Sequence, residues 1–170
     1  MKLSFKEFTR AYAEEYYYVL LNQKKLIKRP DSKIRFATKS FIGYVIYASI
    51  FAVLGLIITI YVHEFLPFLF VPMLTLVATL HTYYRIHKNV IKLAKMDASA
   101  FILTANTKHI IYGQGKDNGV IMLWEEVKKI IYTDNSIIFL PKAIDIFPIV
   151  IPITAKKDIK SFLKKHKIEL

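Results

Sequence analysis

The apolar positions of this 170-residue chain change period twice, and the uncharged middle is the plainest part of the pattern. Ser40 to Val62 holds no charged residue, and after only His63 and Glu64 a second apolar stretch runs from Phe65 to Tyr84. About 20 apolar residues rising roughly 1.5 Å each cross a hydrocarbon core of about 30 Å, so either stretch is long enough to span a bilayer. The short connection leaves room only for a tight turn, which predicts a transmembrane hairpin over residues 40–84 with spans near 40–62 and 65–84. Lys33, Arg35 and Lys39 precede the first span and Arg85, Lys88, Lys92 and Lys95 follow the second, whereas the turn has no Lys or Arg. Because basic residues stay on the cytoplasmic side, both termini are expected there.

Upstream, residues 1–39 read as an amphipathic helix and a linker. Ser4 and Glu7 stand at capping-box spacing, and Phe5, Phe8, Tyr12, Tyr16, Val19, Leu20 and Ile27 recur near the helical period until Pro30 and Asp31. Tyr16, Tyr17 and Tyr18, with the basic end Lys24, Lys25, Lys28 and Arg29, suit a helix at the headgroup layer. They equally suit a helix packed on a soluble domain, and the sequence leaves both readings open. Within the spans, Gly43, Ser49 and Gly55 permit close helix approach, but at six-residue intervals rather than the four that favour a dimer face. Pro67 fits an opening turn, while Pro72 removes a helix hydrogen bond and predicts a kink. Ile86, Val90, Ile91, Leu93 and Ala94 carry the helical period past Arg85, a basic stalk over residues 85–99.

From about Ala100 the period becomes that of strands. Phe101 to Thr104, Lys108 to Tyr112, Val120 to Trp124, Val127 to Tyr132, Ile137 to Leu140 and Phe147 to Ile151 are separated by Gly113, Gly115, Asp117-Asn118-Gly119 and Asp134-Asn135, the turn chemistry of an antiparallel sheet. Residues 156–167 then place Ile159, Phe162 and Leu163 on one helical face and most lysines elsewhere, a helix suited to cap a sheet. Short strands closed by one helix resemble a pleckstrin-homology-like barrel over residues 100–170. The predicted class is therefore an α+β membrane protein: a two-helix transmembrane hairpin with a cytoplasmic pleckstrin-homology-like antiparallel β domain and a C-terminal helix.

The run from Asn118 to Ile130 adds a narrower resemblance. Asn118-Gly119-Val120-Ile121-Met122-Leu123-Trp124, two intervening glutamates, and the aliphatic alternation through Val127 and Ile130 are similar to the YcxB-like family of small bacterial membrane proteins. That family shares the order of parts, and the likeness implies a bacterial cell membrane location and a motif role for Gly119, Trp124, Val127 and Ile130. It departs before the last helix, where the family's aliphatic-Pro-Lys step is replaced by Ile151-Pro152-Ile153, with Pro141-Lys142 earlier; the register of the last two strands stays open. Residues 1–39 carry no motif of the family.

A formal charge of +12 suits nucleic acid in many proteins, but beside two spans it is what orientation and attraction to anionic cytoplasmic lipid require. The bilayer and, non-specifically, its anionic lipids are the expected partners, touched by Lys39, Arg85, Lys88, Lys92 and Lys95, and no nucleic acid is expected. The chain has no cysteine, so thiolate ligands and nucleophiles are excluded. His63, His81, His87, His109 and His166 show no zinc spacing, and Gly113-Gln114-Gly115 lacks the third glycine and following helix of a dinucleotide site, so it reads as a hairpin loop. Glu125 and Glu126, adjacent on a strand, are expected to face opposite ways rather than to share acid-base work. Trp124 reads as sheet core rather than a ligand platform. No metal, cofactor or catalytic residue is expected.

Two functions remain. One is a membrane-anchored, non-enzymatic binding or protective module; among small two-span proteins with such domains, self-immunity against membrane-active bacteriocin peptides is its concrete form, by analogy of fold. The other is an accessory subunit of a larger transporter or envelope-stress complex, in which a membrane-protein partner or a homo-oligomer packs on Gly43, Ser49, Gly55 and Pro72.

Overall fold

The computed structural model describes residues 1–61, 66–114 and 118–168. Two antiparallel sheets and four α-helices make an α+β fold. Strand β1 (Lys2–Ser4) is followed by α1 (Arg10–Lys28), α2 (Ala37–Tyr61) and α3 (Leu66–Ala94), then by β2 (Phe101–Ala105), β3 (His109–Gln114), β4 (Asn118–Leu123), β5 (Val127–Tyr132), β6 (Ser136–Pro141), β7 (Ile149–Pro152) and α4 (Lys156–Lys165). The first sheet has the order β1-β2-β3-β4 and the second β5-β6-β7.

The N-terminus departs from the sequence expectation. Lys2, Leu3 and Ser4 pair with Thr104, Leu103 and Ile102 as an edge strand, so Ser4 and Glu7 form no capping box. The helix starts later, with the Thr9 hydroxyl accepting from Tyr12 N at 3.1 Å. Pairing satisfies the β2 edge and brings Phe5 and Phe8 into the core beside Tyr112 and Phe101, an apolar gain that a surface helical turn lacks. The β domain is therefore not confined to residues 100–170, because its first strand lies a hairpin away in sequence.

The six later strands form where the period changes, with two local differences. Gln114 pairs with Asn118 and Gly113 with Gly119, so Gly113, Gln114, Asn118 and Gly119 belong to the ladder; the loop expected at Gly115 and Asp117 lies outside the described residues. Trp124, Glu125 and Glu126 form a single tight 3₁₀ turn between the sheets instead of ending a strand. Glu126 turns its carboxylate back to Leu123 N at 2.8 Å, while Trp124 N donates to Lys108 O at 3.1 Å and Trp124 Nε1 to Asn106 O at 2.7 Å. That corner aims the indole inward, stacked on Phe162 of α4 at 6.2 Å and edge-on to Phe139 at 6.1 Å. Val127 is buried and Ile130 half-buried behind it, and a Cβ added to Gly119 would lie 3.0 Å from Ile111 Cγ2. Ser136 pairs with Pro152 and Phe139 with Ile149, which fixes the register of the last two strands, and both prolines end their strands.

Every residue of β6 is buried, although an antiparallel strand commonly keeps one face wet. Its second face is covered by α1, which also packs on α3 and α2. Tyr12 shows how closely: its hydroxyl donates to Val150 O of β7 at 2.8 Å and lies 3.3 Å from the Tyr112 hydroxyl. Of the two environments open to the N-terminal helix, the structure shows packing on the β domain. Lys128 and Lys129 of β5 reach back to the end of α1 and the turn after it, at Ile27 O (2.6 Å) and Asp31 Oδ1 (2.5 Å).

Burial pushes the Tyr12 and Tyr112 hydroxyls above the ordinary tyrosine range; neighbouring phenols add to the effect at Tyr12, whereas at Tyr112 the Tyr12 hydrogen bond offsets part of it. Their neutral forms are favoured in the fold, so the stability they add is complete below pH of about 10 and is lost as pH rises beyond it. Tyr12→Phe is expected to cost about 1 kcal/mol near pH 7, by leaving Val150 O without its donor. It should also make the alkaline loss shallower. Denaturant unfolding of the detergent-solubilised chain from pH 7 to alkaline values checks both.

Candidate membrane-interface site

Helices α2 and α3 pack along each other, joined through residues 62–65. The turn expected at His63 and Glu64, and the side-chain environment of Pro67, lie outside the described residues. Among the described residues α2 is the one helix long and apolar enough to cross a membrane by length and composition. Apart from a narrow stripe against α3 that buries Ala48 and Ala52, its large apolar side chains are exposed, from Ile42 through Phe51 and Leu56 to Tyr61. A soluble core helix would show the opposite. α3 runs through Pro72 as one continuous helix, with Phe70, Val71, Leu74, Val77 and Leu80 exposed.

The chemistry of α3 changes along one face. At about 100° per residue, Arg85, Lys88, Lys92 and Lys95 fall within a sector of roughly 80°, directly below the exposed apolar positions. All four are exposed, and Tyr84 stands at the change. Ile86, Val90 and Leu93 point the other way and are buried against α1. The expected stalk is thus one helix of a packed pair, because α1 supplies the cover that a lone amphipathic helix would lack. Lys39, exposed near the start of α2, lies 5.0 Å from the Phe36 ring, and Arg35 is exposed before it. The five cations expected to meet lipid therefore sit on two adjoining helices, at the polar ends of their apolar segments.

Two carboxylates that the sequence reading passed over hold this arrangement. Glu14 accepts from Thr38 N at 2.9 Å and from Thr38 Oγ1 at 2.6 Å, a cap supplied in trans to the N-terminus of α2. Glu15 accepts from Ser136 Oγ at 2.7 Å, Asn135 Nδ2 at 2.8 Å and Thr133 Oγ1 at the β5–β6 turn. Both are buried, and neither belongs to an ion pair among the described residues. Buried carboxylates are tolerated when hydrogen bonds replace the lost water, and here five donors do so. The available signal was partial: Glu15 falls on the helical face between Tyr18 and Val19, and Glu14 at the edge of that face beside Tyr18.

The titratable side chains singled out for chemistry are scattered. His109 contacts Asn106 at 3.2 Å, His166 lies 4.5 Å from Phe162, His87 stacks on Tyr83 at 6.0 Å, and His81 is exposed. Among the described residues no three His, Cys, Asp or Glu side chains are grouped to hold a metal ion. Two concave features lie instead between α1, α2 and α3.

Replacing the Glu14 carboxylate removes a charge from a helix N-terminus and weakens its two bonds, a loss of about 1 kcal/mol. Glu14→Gln is expected to speed amide hydrogen exchange of Thr38 and Lys39 about five-fold, with the α4 amides unchanged.

No family model, no curated protein and no solved structure matches this chain, so the reading of the site rests on its own geometry.

Proposed function

We propose that the chain is a membrane-anchored, non-enzymatic module in which α2 and α3 form a two-span hairpin, with both termini and the β domain on the cytoplasmic side of a bacterial membrane. In this reading the seven strands and α4 form a pleckstrin-homology-like barrel, related through the Gly119 to Ile130 run to the YcxB-like family. The observation that carries it is the face of α3 on which Phe70, Leu74 and Val77 are exposed and apolar and, beyond His81 and Tyr84, Arg85 to Lys95 are exposed and basic. A helix face open to one solvent has no reason to change from apolar to basic along its length. A face that crosses from hydrocarbon to anionic headgroups does, and each basic residue near such a surface contributes about 1 kcal/mol.

The biological role that fits this anatomy is protection at the inner leaflet, in concrete form self-immunity against membrane-active bacteriocin peptides. The rigid attachment of domain to hairpin through Glu14 and Glu15 supports a module that works as one body at the membrane surface. The accessory-subunit reading draws on a different observation, the apolar surface of α2, which the chain itself leaves open to a partner helix.

The test compares sensitive bacteria with and without this chain across a broad panel of cationic membrane-active peptides. An inhibitory dose raised at least four-fold for one peptide class is expected. An unchanged dose across the panel overturns the protective role, and a stable heteromeric complex cross-linked in intact membranes would favour the accessory subunit.

A further inference from the structure

Where α1 meets the hairpin, the surface is hollowed into a cleft of about 650 Å³ whose lining includes Tyr18, Asn22, Lys25, Arg35 and Ser40. Lys25 and Arg35 are its only charged residues, no carboxylate lines it, and neither cation is in an ion pair among the described residues. The helix of α1 is interrupted at this place: Asn22 has φ −114° and ψ 15°, and its Nδ2 donates to Tyr18 O at 3.0 Å. The break lies one turn before Lys25, at the mouth of the cleft.

The cleft does not end at the helices. Tyr44, Thr75 and Thr79 line it and also line a second, apolar groove of about 1050 Å³ between α2 and α3, which continues to Ile58 on α2 and Val71 on α3. From Tyr44 to Ile58 the groove runs roughly 20 Å along the helix, against about 15 Å for the hydrocarbon of one leaflet. Its threonine hydroxyls are already satisfied: Thr59 donates to Gly55 O at 2.8 Å, Thr75 to Val71 O at 2.8 Å and Thr79 to Thr75 O at 2.7 Å. The groove therefore offers methyl and aromatic surface and little to bind a polar solute.

We propose that the two together are a binding site for one anionic glycerophospholipid, its phosphate held between Lys25 and Arg35 and one acyl chain laid along the α2–α3 groove. Charge selects the occupant. A neutral partner helix would fill the groove but leave two unpaired cations at its mouth, and a second copy of this chain would bring further positive charge to them. An anionic phospholipid matches both halves at once: two cations lining one cleft for its phosphate, and an apolar channel continuous with that cleft. The site differs from the stripe of Arg85, Lys88, Lys92 and Lys95, none of which lines this cleft.

The proposal rests on α2 and α3 being membrane spans, and the experiment separates the two claims. The full chain is taken from bacterial membranes washed with alkaline carbonate, purified in mild detergent, and weighed by native mass spectrometry with extraction of bound lipid. One anionic phospholipid per chain is expected in the wild type. It should fall at least ten-fold in Lys25→Gln/Arg35→Gln and persist in the control Lys88→Gln/Lys92→Gln. Added anionic lipid should raise the melting temperature of the wild type and not of Lys25→Gln/Arg35→Gln, a readout that also shows whether that variant folds. A chain that stays in carbonate-washed membranes but carries no lipid, carries zwitterionic lipid equally, or emerges as a lipid-free dimer overturns the site alone. A chain released by carbonate overturns both the site and the spans.

Discussion

Glu14 and Glu15 leave α1 about 100° apart, and that divergence is what joins the two halves of the molecule. One carboxylate caps the first turn of α2 through Thr38, and the other collects three donors from the β5–β6 turn. Each is shielded from water, so its charge is stabilised only while its own partners stay in place. Shifting α1 by one residue along either neighbour would strand a buried carboxylate and several donors together. The helix is thereby held in one register against both the hairpin and the sheet, which apolar packing on a smooth surface would specify less sharply.

Several features follow from that placement. With α1 fixed over the second sheet, β6 is buried on both faces, and Ile137, Ile138, Phe139 and Leu140 can be a continuous apolar run. With α1 fixed beside α3, Ile86, Val90 and Leu93 are covered and the basic stripe is turned outward. The break at Asn22 then falls where α1 passes the start of α2, and Lys25 is carried to the same cleft as Arg35. The β domain, the basic stripe and the cleft are in this way held at constant height relative to the apolar helices. A domain meant to sense or shield the inner leaflet needs that constancy more than it needs a reactive group.

The sequence was most legible where one physical demand dominated. Length and absence of charge mark α2, alternation and turn residues mark the six strands after Phe101, and a lone tryptophan among apolar strand residues reads as core, where Trp124 is found. Harder were features that depend on distant partners. Lys2 to Ser4 is a strand only because β2 offers an edge nearly a hundred residues later, and local capping chemistry at Ser4 and Glu7 pointed to a helix instead. Trp124 to Glu126 turns because Asn106 and Lys108 hold the indole and its backbone, which no local period reveals. The carboxylate of Glu15 looks like solvated charge unless its place between Tyr18 and Val19 on the helix is given weight, and Glu14, beside Tyr18 at the edge of that face, carries a weaker signal still. The Lys25 and Arg35 cleft joins two segments that the linear reading had placed in one helix and one linker, with the hairpin beyond.

The central claim is that α2 and α3 cross the membrane with the β domain inside. The chain contains no cysteine, so a single introduced thiol reports its own position without background. The most direct measurement is labelling of Tyr61→Cys, at the far end of α2, and of Lys165→Cys, at the end of α4, with a membrane-impermeant maleimide in intact cells and in inverted vesicles. The account predicts that Tyr61→Cys is labelled in intact cells and Lys165→Cys only in inverted vesicles. Labelling of Lys165→Cys in intact cells, or of both positions from the same side, would contradict it.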